Sequence, residues 1–270
     1  MIQRALATTG LILAALWCSV PPHAQPATGD QRAAALARLV AAYPEHLARI
    51  EGDMLVWKDG TRMPIDDGRG GKDHETRLAT ADIEDMLTQP YSAGKPAAPP
   101  TLNEDPGRAR NTAFFDKIYG DCMKGEVSRH LVEVPWLAKK GGKPLKVTRI
   151  NGVAEVLKAV SAELDALPAR FDAYLLPAAG TYNCRPIAGT KRVSGHGYGI
   201  AVDIATRHAH YWRWSGGKAG KAFAYKNAIP FEIVEIFERH GFIWGGKWYH
   251  YDTMHFEYRP ELLDKLPAAR

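Results

Sequence analysis

Apolar residues recur at helical spacing in three stretches of the chain. Residues 31–42 are Ala-rich and place Leu36, Leu39 and Val40 together. Val153, Val156, Leu157, Val160 and Leu164 make one face of a second helix, which Asn151 can cap and Pro168 ends. Phe231, Ile233, Val234 and Phe237 make a third, opened by Pro230 and closed by Gly241. Shorter helices are expected near 80–88 and from Asn111 to Gly120. Other stretches carry a strand pattern. Met54 to Trp57 runs into the turn signal Lys58-Asp59-Gly60-Thr61. Gly199 to Ile204 alternates, with Ile200, Val202 and Ile204 on one face and Ala201 and Asp203 on the other. Phe171 to Pro177 is a further strand candidate. Trp244 to Tyr258 is aromatic and strand-like, with a Gly245-Gly246 turn. Helices and strands mix without a regular βαβ alternation, which predicts an α+β fold with a small antiparallel sheet flanked by helices.

Turn signals and composition divide the chain. Asp66-Asp67-Gly68 and Gly70-Gly71 mark turns, and the two aspartates lack the rest of a calcium-loop pattern. Pro90 to Pro106 is rich in Pro, Ala and Gly and reads as a boundary. It separates an N-terminal extension and linker, 25–105, from a domain at 106–270. Residues 1–24 read as a signal peptide. Arg4 precedes an apolar run from Ala5 to Val20, shorter than the ~20 residues that cross a bilayer, and cleavage is expected after Ala24. Cys18 follows Trp17 where a lipoprotein signal needs a small residue, so it belongs to the leader. The expectation is a periplasmic or secreted protein without stable membrane insertion.

Charge and cysteine content fit that setting. The 270 residues are 46% apolar and 24% charged, as in globular proteins. Losing Arg4 with the leader lowers the formal charge of +5 to +4. A modest positive charge suits an anionic polymer such as bacterial cell wall, and no basic block suggests nucleic acid. Cys122 and Cys184 remain after the leader. An oxidising compartment favours a disulfide between them, two buried thiols being the alternative.

The candidate chemistry lies in two segments. In Ser194-Gly195-His196-Gly197-Tyr198-Gly199-Ile200-Ala201-Val202-Asp203, a strand with Ile200, Val202 and Ile204 in the core points Asp203 into a cleft. Ala201 shares that face and leaves room, and the Gly-rich loop can bend His196 back toward Asp203. In Asp252-Thr253-Met254-His255-Phe256-Glu257-Tyr258, Met254, Phe256 and Tyr258 can face the core, putting His255 and Glu257 on the opposite face. Two histidines and a carboxylate form a catalytic zinc set with a fourth position for water, whose pKa zinc lowers toward ~7. Asp252 can act as base beside His255, with turn capping as the alternative. Glu257 is the second candidate for the base, or a partner that orients a histidine. His208 and His210 suit the cleft rim, and His250 a hydrogen bond to substrate.

These residues resemble a known family. Ser194, His196, Gly199, Ala201 and Asp203 fit the Ser-x-His-x-x-Gly-x-Ala-x-Asp signature of the M15 peptidases, the VanY-like D-alanyl-D-alanine carboxypeptidases and related endolysin peptidases. Asp252-x-x-His255 is similar to their second motif, where many members carry Glu. The resemblance spans roughly residues 110–260. It implies zinc held by His196, Asp203 and His255, with Asp252 as general base and peptidoglycan peptides as substrate. Arg185 looks like the family arginine that contacts substrate or the oxyanion, and Ser194 is a second candidate substrate contact. The implied fold is a central antiparallel sheet flanked by helices, and residues 30–105 resemble an extension seen in some exported members. The sheet and metal site of that family also resemble those of Hedgehog signalling domains, where the metal can persist without peptidase activity. The alternative function is therefore a non-catalytic, zinc-containing cell-wall-binding module.

Overall fold

The computed structural model describes residues 29–187, 189–190, 192–218 and 221–263; the expected leader at 1–24, with Cys18, lies outside them. The described residues open with α1 (Gly29–Ala42) and an antiparallel sheet of β1 (Leu47–Glu51), β2 (Met54–Trp57) and β3 (Arg62–Pro64). Short helices α2 (His74–Ala79) and α3 (Ile83–Leu87) follow. Asp82 and Asp85 form a reciprocal capping box at the start of α3. Next come α4 (Thr112–Tyr119), a hairpin of β4 (Leu131–Val134) and β5 (Leu145–Thr148), then α5 (Val153–Asp165) and α6 (Asp172–Leu175). The last sheet has the order β6 (Ala201–Asp203), β8 (His255–Tyr258), β7 (Phe242–Trp244), with α7 (Phe231–Arg239) leading into β7. The architecture is α+β with small antiparallel sheets.

One core joins these pieces. Leu36 and Leu39 of α1, Phe114 and Phe115 of α4, Val156 and Val160 of α5, and Phe237 of α7 all belong to it. Phe256 of β8 stacks on Phe237 with ring centroids 3.8 Å apart. Each fully buried side chain of this kind contributes about 1.5–3 kcal/mol. That burial fixes which face of β6 and β8 points away from the core. Two polar ties fasten the N-terminal part to the rest: Tyr43 donates to Glu261 at 3.0 Å, and Tyr91 to Glu238 at 2.5 Å. Asp66 and Asp67 sit in a turn, and Lys72 bonds Asp67, Asp82 and Asp85, so a protein cation fills that acidic corner.

Two local expectations are corrected. Asn151 does not cap α5: it takes a positive φ of 51° and donates its amide to the Ala42 carbonyl, while Gly152 occupies the cap. Phe171 to Pro177 is not a strand. It forms a 3-10 turn and then α6, because Pro168 ends α5 while Phe171 and Leu175 still reach the core at helical spacing. Short apolar runs do not separate the two periods.

Candidate active site

The register of one strand pair assembles the site. β6 and β8 are antiparallel, with Ala201 opposite Glu257, Val202 opposite Phe256 and Asp203 opposite His255. Val202 and Phe256 are fully buried on the core face, so Asp203 and His255 project together on the other. His196 arrives from the 3-10 turn Gly195–Tyr198 just before β6. That turn needs glycine at two points. A Cβ on Gly195 would lie 2.5 Å from Glu257 Oε2. Gly199 has a φ of +69°, and a Cβ there would lie 2.9 Å from the Thr148 nitrogen. Thr148 instead donates its N–H to the Gly199 carbonyl, tying the β4–β5 hairpin to the turn. Ser194 is buried, and its hydroxyl accepts from the His196 N–H at 3.4 Å, so it shapes the turn.

Three atoms converge. His196 Nε2 lies 3.1 Å from Asp203 Oδ1, His255 Nδ1 lies 3.0 Å from the same oxygen, and the two ring nitrogens are 3.2 Å apart. The outer nitrogens explain what this triangle is for. His196 Nδ1 donates to the Thr181 carbonyl at 2.5 Å, since a carbonyl can only accept. His255 Nε2 faces Glu257 Oε2 at 3.3 Å. With their outer nitrogens serving as donors, both rings turn lone pairs inward toward a carboxylate oxygen. Three acceptors at 3.0–3.2 Å need a positive charge among them. A proton on His255 satisfies part of the triangle. An ion bound at ~2.0–2.2 Å in tetrahedral geometry satisfies all of it, because its ligand atoms lie roughly 3.3 Å apart. The site therefore fits zinc, with Asp203 the most open of the three residues.

Electrostatics agree with that competition. Burial opposes charge on His255, but the bonds to Asp203 and Glu257 outweigh it and push the ring up to about 10. A metal ion held here would displace a proton. Glu257 is fully buried; despite that burial, Arg110, His255 and Arg259 hold its carboxyl well below the usual range. It therefore orients His255 as an anion locked between arginines, which leaves Asp252 as the better base. Burial and the Asp203 charge raise Asp252 to about 6, against the opposing pull of His255, His196 and Arg108. Its Oδ1 is buried and makes no hydrogen bond to protein. A buried carboxylate oxygen left free beside such a cluster is a mark of a functional acid or base.

The remaining candidates are placed as follows. Cys122 and Cys184 are joined by a disulfide, with Cα atoms 5.7 Å apart. Arg185 follows it, exposed, with Nη1 donating to the Pro186 carbonyl rather than to the cluster. Its backbone is close to the turn that carries His196, for Ser194 N–H donates to the Arg185 carbonyl and Asn183 N–H to the His196 carbonyl. His208 packs its ring against Tyr174, and the His210 N–H donates to Thr253 Oγ1. His250 is buried and bonds Asp105 Oδ2 through Nδ1 at 2.6 Å. The sequence reading missed Arg108, which lies over the Trp248 ring while Trp248 packs on His255. It also missed the Thr181 carbonyl and the pairing of Arg110 with Glu257.

Two tautomer-fixed histidines, one open carboxylate and a free buried carboxyl beside them make a candidate metallohydrolase centre. Residues 188–258, about a quarter of the chain, match the M15 peptidase family model described as D-alanyl-D-alanine carboxypeptidase. His196, Asp203, Asp252 and His255 all fall inside the match, and Arg185 just before it. No curated protein and no solved structure matches the chain.

Proposed function

We propose that the chain is an exported zinc peptidase that hydrolyses an amide bond in peptidoglycan stem peptides, as a D,D-carboxypeptidase or an endopeptidase. The observation that carries this is the inward pair of histidine lone pairs around Asp203, fixed by Thr181 and Glu257. Zinc held there supplies Lewis acidity and a water of lowered pKa. Everything else falls to the chain's own side chains. His196, Asp203 and His255 are the ligands. Asp252 takes a proton from the attacking water as its oxygen bonds to the scissile carbonyl carbon. The same carboxyl then returns the proton to the leaving nitrogen as the C–N bond breaks, the usual double duty of a general base. Arg185, on the loop joined to the metal turn, is the proposed partner for the carbonyl oxygen as it gains charge.

The binding-module alternative is less well supported, because a module that only held zinc would have no use for a buried, unpaired Asp252 oxygen. The test is Asp252→Ala. Zinc should stay near one per chain by elemental analysis, while hydrolysis of purified peptidoglycan falls by about 10²–10⁴-fold. Full activity in that variant would remove Asp252 from the mechanism. Mass spectrometry of the released muropeptides identifies the bond.

A further inference from the structure

The excursion between β6 and α7 differs in composition from the rest of the chain. From Ile204 to Phe231 there is no Asp or Glu, but there are five cations: Arg207, Arg213, Lys218, Lys221 and Lys226. Setting these five aside leaves 30 basic against 30 acidic residues, so this stretch accounts for the whole formal charge of +5. All five side chains are exposed, and none has an acidic partner among the described residues. Within the same stretch Trp214 is 66% exposed, whereas Trp57, Trp136, Trp212, Trp244 and Trp248 are all buried.

A lone exposed aromatic needs no explanation. Trp214 is different because its presentation is organised. The Tyr211 ring meets it edge-on at 5.6 Å, and the turn beneath is closed by Ser215 N–H to the Tyr211 carbonyl and Gly217 N–H to the Trp212 carbonyl. That turn is registered on the catalytic segment. Tyr211 bridges Asp252 in antiparallel fashion, Trp212 N–H donates to the Tyr251 carbonyl, and Thr253 N–H to the His210 carbonyl. The turn that carries this ring, with Arg213 over the Trp212 ring and Lys218 next to Gly217, is thus anchored to the segment that holds the proposed base.

We propose that this excursion docks the cell-wall polymer itself. Trp214 stacks on the apolar face of a sugar ring of the glycan strand, and Arg213 and Lys218 pair with carboxylates of its stem peptides. The inference rests on the peptidase reading above and extends it from the cleaved bond to the polymer that carries the bond. An uncompensated positive surface draws in an anionic polymer over about a Debye length, and an aromatic face adds short-range grip on a saccharide.

The test uses the full zinc-loaded chain in two assays: co-sedimentation with purified peptidoglycan sacculi, and hydrolysis of a soluble stem peptide. Trp214→Ala should bind sacculi about tenfold more weakly, the scale of one lost aromatic contact, with the soluble-peptide rate unchanged. Trp214→Phe should retain most of the binding. Reversing both charges, Arg213→Glu with Lys218→Glu, should weaken binding further and remove most of its salt dependence. Wild-type sedimentation by Trp214→Ala would overturn the proposal. So would an equal loss on the soluble peptide, which would put the ring at the reacting bond. Binding to anionic phospholipid vesicles as tight as to sacculi would overturn it as well. If the wild type cleaves no soluble peptide, the peptidase reading fails alone, and sedimentation still decides the docking surface.

Discussion

Among the described residues two clusters share one composition, two histidines and one aspartate, and they are wired in opposite ways. In His196, Asp203 and His255 the inward contacts are 3.0–3.2 Å, and the outer ring nitrogens are occupied by Thr181 and Glu257. In His74, Asp105 and His250 the donor is aimed inward. His250 Nδ1 meets Asp105 Oδ2 at 2.6 Å, a length that suits a charge-assisted hydrogen bond and is short for two ligands of one ion. Asp105 also accepts the His250 N–H at 3.0 Å and has Arg108 at 3.6 Å, so its charge is already answered. In the first cluster both histidines turn their inner nitrogens to one carboxylate oxygen; in the second His250 already donates to the carboxylate, and His74 Nε2, 3.3 Å from it, is buried without a hydrogen bond. Residue type alone does not make a metal site. The position of the protons does.

The sharpest way to break this comparison is to remove one histidine from each cluster. His196→Ala should lower zinc content from about one per chain to near zero and abolish hydrolysis. His74→Ala should leave both unchanged. Elemental analysis of the two purified variants decides it, and a second zinc in the wild type that disappears with His74 would reverse the assignment. The next effect concerns the outer nitrogen of His255. Glu257→Gln replaces the anion that orients the ring, and zinc affinity should fall by about 10–100-fold in a competition titration with a chelator. Because Arg110 loses its buried counter-ion, while Arg259 keeps Glu261, about 3–5 kcal/mol of stability should go with it. An unchanged affinity in folded protein would show that Glu257 serves the arginines alone.

How much of this was legible follows the same division between side-chain type and wiring. Strand parity was enough to put Asp203 and His255 on the cleft face, because burial of Val202 and Phe256 leaves no other register. The motif spacing brought in His196. The Thr181 carbonyl was invisible, since a backbone acceptor carries no residue signature. The Asp105–His250 bond was hidden by a separation of 145 residues. Asn151 misled because residues that favour helix caps also tolerate positive φ, and only the Ala42 carbonyl decides between the two roles. Residues 171–177 misled because a run that short fits either period.

A smaller effect is the pH dependence of the first cluster. Asp252 is raised from an ordinary 3.8 to about 6, by burial and by Asp203. A base must be ionised, so kcat/KM should fall about tenfold per pH unit below the apparent pKa. A cation at the cluster adds positive charge and draws that limb downward, so in zinc-loaded protein it should lie at or below about 6. Stability responds with the opposite sign. The folded pKa is above the unfolded one, so the stability Asp252 contributes is fully present below pH 3.8 and is lost as pH rises through about 6. A pH–rate profile with its acid limb above neutrality would assign the titration to another group.

The smallest effect on activity is expected in the second cluster. Asp105→Asn keeps the shape of the side chain and removes its charge. One carbonyl oxygen remains to accept, while the amide group now faces donors from His250. Leaving such buried groups poorly matched costs about 1–3 kcal/mol. Thermal unfolding should therefore begin several degrees lower, with zinc content and the soluble-peptide rate unchanged. Burial pushes the His74 ring below its ordinary value, against the pull of the Asp105 charge. If Asp105→Asn instead lost zinc, the 2.6 Å contact would be one edge of a metal site, and the contrast between the clusters would be one of occupancy and not of design. If stability alone falls, the pair is a fastening. It ties the segment at Asp105, with His74 of α2 stacked on His250, to the segment that carries Asp252.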